Sequence, residues 1–238
     1  GDIVARAAMT TAGNEYLASY ARRYSSAVQV IPTTVDTDRY RPLPDGSRPR
    51  PEGGSGLVRV GWSGSRTTSA HLALIQGALR RMLEELPVEL VVIGDPAFRL
   101  SGGSAYADRV RVEPWRAETE IAEVGAFDIG LMPLPDDEWS RGKCGFKALL
   151  YMSLGVPPVV APVGVNTVIV SDGANGLLAS TEEDWVGAVG RLVEDAALRR
   201  QLGAAARQTV VERYSGQAWA PRFLEVLEAA VAGGNPTG

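Results

Sequence analysis

The feature that most constrains the fold is a series of short, largely apolar runs that alternate with helix-periodic stretches. Runs such as "VELVVIG" (88–94) and "FDIGLMPL" (127–134) lack the apolar–polar alternation of a strand with one wet face. Strands covered on both faces occur in parallel sheets with helices on either side. We therefore predict an α/β fold with a parallel sheet. Its strands are expected at 57–62, 88–94, 109–115, 127–134, 157–161 and 176–180.

Helices are predicted between these strands and through the last part of the chain. They are expected at 68–86, 118–126 and 146–155, with a loop at 135–142 and a helical turn or strand at 167–170. From residue 181 the sequence is helix-periodic, and Thr181 with Asp184 forms a weak capping box at its start. The C-terminus is thus predicted to be helical.

The composition of the chain changes near residue 41 and divides it into predicted parts. Before that point, Asn14 can cap a helix at 15–26, and a strand is expected at 28–32. Residues 41–56 are rich in Pro and Gly, as expected of a connector between domains. The regular α/β domain is predicted at 57–214, followed by a C-terminal helix and tail at 215–238.

Composition excludes several classes of function. The net charge of −4 over 238 residues argues against nucleic acid as a partner. No apolar stretch is long enough to indicate a membrane span. One cysteine, Cys144, excludes an intramolecular disulfide and fits a reducing, cytoplasmic location. With His71 as the one histidine, zinc sites and Cys–His catalysis have almost no material, so we predict no metal and no cofactor.

Ligands of parallel sheets bind outside the carboxyl ends of the strands, so the loops at those ends are the candidate binding segments. "GWSGSRTTS" (61–69) follows the first regular strand and begins a helix. Its glycines permit close approach of the backbone, and the helix N-terminus offers N–H groups to an anion. The candidate binding residues are Gly61, Ser63, Gly64, Ser65 and Arg66. An ordinary turn between strand and helix uses the same residue types and is the alternative.

"GKCGFK" (142–147) is the second candidate loop. Lys143 and Lys147 lie near the start of a helix, where the helix dipole disfavours positive charge. An anion between them would supply the missing negative charge, with Gly145 and Phe146 beside it. Alternatively, both ammonium groups reach into water. The acids at 136–138 favour a solvated loop over a paired-carboxylate site.

Tryptophans flank the ends of several predicted strands. Trp62, Trp115 and Trp139 each lie beside a carboxyl end, where one of them can stack on a base. Packing against neighbouring side chains is the commoner role of such aromatics. His71 is predicted on a helix surface or between elements, and Cys144 is interpreted as a small filler.

Three stretches together resemble retaining glycosyltransferases of family 4, which have the GT-B fold. They are "VRVGWSGSRTTSAHL", "FDIGLMPLPDDEWSRGKCGFKALLYMSLGVPPVVAPVGVN" and "DGANGLLAS". The segment "AGNEYLASYARRYSSAVQVIPTTVDTDRY" is similar to the part that joins the two halves of such enzymes. The resemblance runs from about residue 12 to residue 230. It implies that 57–214 is a Rossmann-like donor domain and that 1–40 is a remnant of the N-terminal acceptor domain.

The resemblance also implies a ligand and roles for particular residues. The ligand would be a nucleotide-diphosphate sugar, with Gly61 to Arg66, Lys143 and Lys147 beside its diphosphate and no metal required. The neighbourhood of the base and ribose would include Asp95, Trp115 and Leu150. The family's E-x7-E acids fall on Gly142 and Leu150, and a further acid falls on Val168. All three positions depart from the pattern.

Two functions follow as expectations. The first is the donor domain of an enzyme that transfers a hexose with retention, inactive alone because the acceptor domain, or a partner chain that supplies it, is missing. Any membrane contact would be peripheral and made through that absent domain. The second is a non-catalytic relative that keeps the fold for binding or assembly. A dinucleotide-dependent dehydrogenase is disfavoured because no G-x-G-x-x-G follows a strand.

Overall fold

A computed structural model describes residues 1–44 and 56–233 of the protein. Of the predicted connector at 41–56, residues 45–55 lie outside this described part. The described residues contain eight strands, and all of them pair in parallel. They are β1 (Thr10–Ala12), β2 (Val28–Val30), β3 (Val58–Ser63), β4 (Val88–Ile93), β5 (Val110–Glu113), β6 (Ile129–Met132), β7 (Pro158–Val160) and β8 (Leu177–Leu178).

The main sheet has six parallel strands in the order β5-β4-β3-β6-β7-β8. All six predicted strands of the regular domain are confirmed; five are shorter than predicted, and β3 is shifted by one residue to Val58–Ser63. Strand β4 shows why the runs are largely apolar. Leu90 and Val92 belong to one apolar cluster, whereas Val91 and Ile93 belong to another on the opposite face. Both faces are buried, so apolar side chains dominate them, and the buried Glu89 of this strand pairs with Arg59 of β3 at 2.5 Å.

Helices cover both faces of this sheet and form the C-terminal part, as predicted. Two 3₁₀ segments lie at Ala70–Ile75 and Gly103–Tyr106. The α-helices are α1 (Asp2–Arg6), α2 (Glu15–Ala21), α3 (Arg66–Ser69), α4 (Gln76–Glu85), α5 (Glu120–Gly125), α6 (Glu138–Arg141), α7 (Phe146–Ser153), α8 (Asn166–Ile169), α9 (Glu182–Glu194), α10 (Ala196–Arg213) and α11 (Gly216–Gly233).

Two predicted helix starts are confirmed by their caps. The Asn14 side chain accepts a hydrogen bond of 2.8 Å from the Leu17 N–H. Thr181 and Asp184 bond reciprocally, so the capping box forms although Asp replaces the usual Glu. Both caps satisfy N–H groups that a helix leaves unpaired at its start.

Other local predictions were wrong in detail. The single helix predicted at 68–86 is α3, a 3₁₀ segment and α4. The hydroxyls of Thr68 and Ser69 bond the carbonyls of Ser65 and Arg66, and such bonds compete with regular helix formation. The helix predicted at 15–26 ends at Ala21. The loop predicted at 135–142 contains the four-residue helix α6, and α1 and β1 were not predicted.

The N-terminal residues form a small unit of their own. Strands β1 and β2 pair in parallel, and α2 connects them in the sequence. Their apolar cluster, which is separate from the core of the main sheet, consists of Ala12, Ala18, Ala21 and Val28. Further along, the Arg207 guanidinium donates to the backbone carbonyls of residues 37, 40 and 153, which ties the segment after β2 to α10 and to the end of α7. The assignment of residues 1–40 to an acceptor domain stays a prediction.

Candidate functional site

The site lies where the strand order of the main sheet reverses, between β3 and β6. These strands pair only at Val60 and Gly61, so their carboxyl ends diverge. The buried Tyr151 hydroxyl bridges the gap: it accepts from the Ser63 N–H at 3.0 Å and donates to the Leu131 carbonyl at 3.2 Å. Burial raises the pKa of Tyr151, so the phenol stays protonated.

A cavity of about 550 Å³ opens at these carboxyl ends. This is the position at which parallel sheets bind ligands. The cavity brings together the two candidate loops, whose nearest ends, Ser69 and Gly142, are 73 residues apart in the sequence. Its lining consists of Ser63, Gly64, Ser65, Arg66, Gly94, Pro96, Pro114, Trp115, Glu120, Phe146, Lys147 and Leu150.

One end of the cavity is formed by the start of α7. Gly145 precedes the helix with φ 72°, a left-handed conformation that favours glycine, and a Cβ there would lie 2.3 Å from Ile169 Cδ1. No side chain caps the helix, so its first N–H groups are free to bind an anion. The predicted helix start at Phe146 is confirmed, and Phe146 lines the cavity.

Lys147 projects from this first turn into the cavity. Its ammonium lies 5.5 Å from the centre of the Trp62 ring, a cation–π arrangement. Burial, and secondly the charge of Lys143, lower the pKa of Lys147 from 10.5 to about 8. Trp62 itself is only 1% exposed, so it supports the lysine and is not available to stack on a base.

Lys143 lies beside the cavity and contacts the one histidine of the chain. Its Nζ is 3.4 Å from His71 Nε2. Burial, followed by the charges of Lys143 and Lys147, lowers the pKa of His71, so its ring is neutral and can accept from the ammonium. Burial also lowers the pKa of Lys143. The contact agrees with one of the two predicted places for His71, between elements, although its partner, 72 residues away, was not predicted.

The loop after β3 forms the wall opposite α7. Ser65 occupies the N-cap position of α3, and its hydroxyl bonds that of Thr67 at 2.9 Å. Arg66 is exposed at the rim. Gly61 does not reach the cavity: it lies within β3, where a Cβ would be 2.2 Å from the Phe127 ring. Its place is explained by packing.

The other end of the cavity contains an aromatic ring and a carboxylate. Trp115 is half exposed, and its Nε1 donates to Glu120 at 2.8 Å. The second oxygen of Glu120 accepts from the Tyr40 hydroxyl at 2.8 Å. Sequence reasoning predicted Trp115 but missed Glu120 and Tyr40, because "ETE" reads as the exposed start of a helix and Tyr40 is 80 residues away.

Of the two other predicted neighbours of the ligand, Asp95 and Leu150, only Leu150 lines the cavity. Asp95 lies outside the lining: its buried carboxylate accepts from Ser69 Oγ at 2.5 Å and from the Ala97 N–H at 3.1 Å, which fixes the loop after β4. Leu150 lines the cavity but is only 3% exposed, and it belongs to the apolar cluster that contains Val91 and Ile93.

The loop before α7 is held from the N-terminal unit. The Asn14 side-chain amide lies 3.1 Å from each of the carbonyl oxygens of Gly142 and Lys143. The acids of this loop have local partners: Asp136 pairs with Arg141 at 2.7 Å, and Asp137 caps α6 through the Ser140 N–H. That backbone hydrogen bond lowers the pKa of Asp137. The acids therefore stabilise the loop and do not form a paired acid–base site.

Residues 1–44 and 56–233 contain no group of three or more His, Cys, Asp or Glu side chains that could hold a metal ion. Within the same residues, no helix has the length and apolar character needed to cross a membrane.

Comparison with known sequences decides the family. The model of the family described as glycosyl transferases group 1 matches residues 57–195, more than half of the chain. The chain belongs to this family. A D-inositol 3-phosphate glycosyltransferase from Stackebrandtia nassauensis is 35% identical over 143 residues, 54% of this chain and 31% of that protein. One of the same description from Nocardia farcinica is 26% identical over 85% of this chain and 47% of that protein.

Solved structures support the GT-B fold of this family member. Sucrose-phosphate synthase from Thermosynechococcus elongatus superposes with a TM-score of 0.78 at 20% identity, over 98% of this chain and 61% of that one. Anabaena HepE, solved in complex with UDP and glucose, gives 0.75 at 18% identity, over 93% and 63%. The chain thus spans less than half the length of its curated relatives and under two thirds of these structures.

Proposed function

We propose that this chain is the donor-binding half of a glycosyltransferase and that its cavity binds a nucleotide-diphosphate sugar. The observation that carries the proposal is the cavity at the strand-order reversal, which has a cationic end and an aromatic end. The start of α7 and Lys147 form the first, and Trp115 forms the second. A nucleoside diphosphate has the same order of an anion and a flat base.

The cationic end also suits the chemistry of transfer. When the sugar leaves the diphosphate, negative charge develops on the departing phosphate oxygen. Lys147, the nearby Lys143 and the N–H groups of α7 are fixed in place before that charge appears, which favours the transition state. These groups supply the countercharge without a metal ion or cofactor. We propose retaining transfer of a hexose in the cytoplasm, with the acceptor bound by a domain or partner outside this chain, so that the chain alone transfers no sugar.

Isothermal titration calorimetry with UDP, GDP and ADP tests the binding step. We expect one of them to bind with a dissociation constant below 1 mM, roughly 4 kcal/mol or more of binding free energy. Lys147→Met should weaken that binding at least tenfold, whereas the control Arg191→Met, on α9, should not change it. Absence of binding for all three nucleotides at millimolar concentration would contradict the proposal. Transfer activity of the isolated chain on any acceptor would contradict its last part.

A second candidate is a non-catalytic relative that binds or assembles without transfer. It is favoured by Leu150, Gly142 and Val168, which occupy the places of the family's acids, and by the burial of Leu150 in an apolar cluster. Leu150→Glu discriminates the two candidates. A gain in nucleotide affinity would show that the site only lacks this acid, whereas folded protein with unchanged affinity would show that Leu150 is not at the ribose.

A further inference from the structure

The charge pattern of the donor cavity contains one feature that the phosphate-binding end does not explain. Among the described residues that line the cavity, Glu120 is the one acid. It is only 9% exposed, so its carboxylate is largely withdrawn from water. A buried carboxylate is costly unless hydrogen-bond donors surround it. Its place in the lining therefore calls for donors from the protein, from the ligand or from both.

The protein supplies one donor to each oxygen of Glu120. Trp115 Nε1 bonds Oε1 and the Tyr40 hydroxyl bonds Oε2, both at 2.8 Å. A carboxylate has about four acceptor positions, two on each oxygen. The two bonds fix the orientation of the carboxylate and leave acceptor capacity on both oxygens toward the cavity.

The neighbours of Glu120 indicate which ligand group can use that capacity. Glu120 bonds Trp115, the residue proposed to meet the base, and lines the same cavity as Lys147, the residue proposed to meet the diphosphate. In a nucleoside diphosphate the ribose lies between the base and the phosphates, and its 2′ and 3′ hydroxyls are hydrogen-bond donors. Leu150, which lines the same cavity, has no polar side-chain atom to accept from them.

We infer that Glu120 is the residue that recognises the ribose, by accepting a hydrogen bond from a 2′ or 3′ hydroxyl of the bound nucleotide. The inference rests on the proposed function and deepens it. It explains how a cavity with an apolar residue at position 150 can still discriminate ribonucleotides. Tyr40 and Trp115 act as positioning residues, because their bonds hold the carboxylate in the orientation that the hydroxyl needs.

The test compares ribose analogues, because their affinity ratio isolates the hydroxyl contact. The probes are the most tightly bound of UDP, GDP and ADP, its 2′-deoxy and 3′-deoxy forms, and inorganic pyrophosphate. In the wild type, at least one deoxy form should bind about tenfold more weakly, as expected for a lost hydrogen bond to a charged group. Glu120→Gln removes the negative charge of this side chain from the cavity. The removal affects the affinities of a nucleotide and its deoxy forms alike, so it cancels in the ratio of those affinities.

Glu120→Gln should reduce the deoxy penalty to about twofold and leave pyrophosphate affinity within about twofold of the wild type. Glu120→Asp keeps the charge but retracts it, and should reduce the penalty as well, so it carries the test if Glu120→Gln does not fold. Glu118→Gln, exposed and outside the lining, is the matched control and should retain the full penalty.

The outcomes separate this inference from the proposed function. Wild-type protein that binds no nucleotide overturns both. Wild-type protein that binds ribonucleotides and deoxynucleotides equally overturns the inference alone. So does a deoxy penalty that is the same in Glu120→Gln, Glu120→Asp and the wild type, since Glu120 would then only support Trp115.

Discussion

Replacement of Lys147 by Met should stabilise the ligand-free protein while removing its affinity for diphosphates. The pKa of Lys147 falls from 10.5 to about 8 because the ammonium is partly withdrawn from water. At about 1.36 kcal/mol per unit of pKa shift, the charged lysine lowers the free energy of unfolding by roughly 3 kcal/mol at neutral pH. The cation–π contact with Trp62 returns about 1 kcal/mol. We therefore expect Lys147→Met to raise the free energy of unfolding by about 2 kcal/mol at pH 7.

The pH dependence of this difference is the sharper part of the prediction. The pKa of Lys147 is lower in the folded state than in the unfolded state, so the unfolded chain binds more protons between pH 8 and 10.5. Stability of the wild type, as far as this group decides it, rises with pH across that window. The gap between Lys147→Met and the wild type should therefore be largest below pH 8 and shrink as the pH rises to 10.5.

Urea denaturation of both proteins at pH 7, 8, 9 and 10 measures the gap. Arg66→Met, at an exposed position, is the control and should change stability by less than about 0.5 kcal/mol at every pH. The chain has only two lysines, so lysine-labelled protein gives just two ammonium titrations by NMR, and the lower pKa can be read directly. A gap that stays constant from pH 7 to 10, or a Lys147 that titrates above 10, would refute the reasoning.

Three further predictions concern binding and the framework of the site. Affinity for the nucleoside diphosphate should fall about tenfold between pH 7 and 9, because Lys147 has a pKa of about 8 in the free protein and loses its proton in this range. In calorimetry, Lys147→Arg should abolish that fall, and a fall that persists would assign it to another group. Tyr151→Phe removes the hydroxyl that bridges two diverging strands and should cost about 1–3 kcal/mol in urea denaturation, against no measurable cost for Tyr16→Phe, which is exposed; equal effects would disprove the bridge. Asn14→Ser keeps a helix-capping oxygen but loses the side-chain amide that holds the loop of Lys143, so nucleotide affinity should fall several-fold while Tm, followed by circular dichroism, changes by only a few degrees. Unchanged affinity would mean that the Asn14 amide does not position the lysine.

The sequence predicted those parts of the fold that local patterns determine. Strand patterns predicted all six strands of the main sheet, and in β4, β6 and β7 burial on both faces explains why the residues do not alternate between apolar and polar. The loop rule then gave Ser63 to Arg66, Trp115, Phe146 and Lys147 as residues near a ligand, and the resemblance added Leu150; the structure places all of them in one lining. The loop result follows from chain direction, since parallel strands put their carboxyl ends at the same edge.

What the sequence did not predict depends on contacts between distant residues. His71 meets Lys143, and Tyr40 meets Glu120, across 72 and 80 residues. No local pattern marks either pair. Trp62 shows another limit: its position at a strand end allowed either stacking on a base or packing, and only the structure shows that the ring packs inside the core. Asp95 likewise turned inward to hold its own loop.

Helix α7 carries Lys147 and Tyr151 four residues apart, so one rigid rod sets both the charge in the cavity and the bridge between β3 and β6. An α-helix turns by about 100° per residue. Insertion or deletion of a single residue between them would swing the ammonium out of the cavity while the phenol stays fixed, or the reverse. Length changes between these two residues should therefore disrupt the site, whereas the exchange of a single side chain leaves their spacing intact.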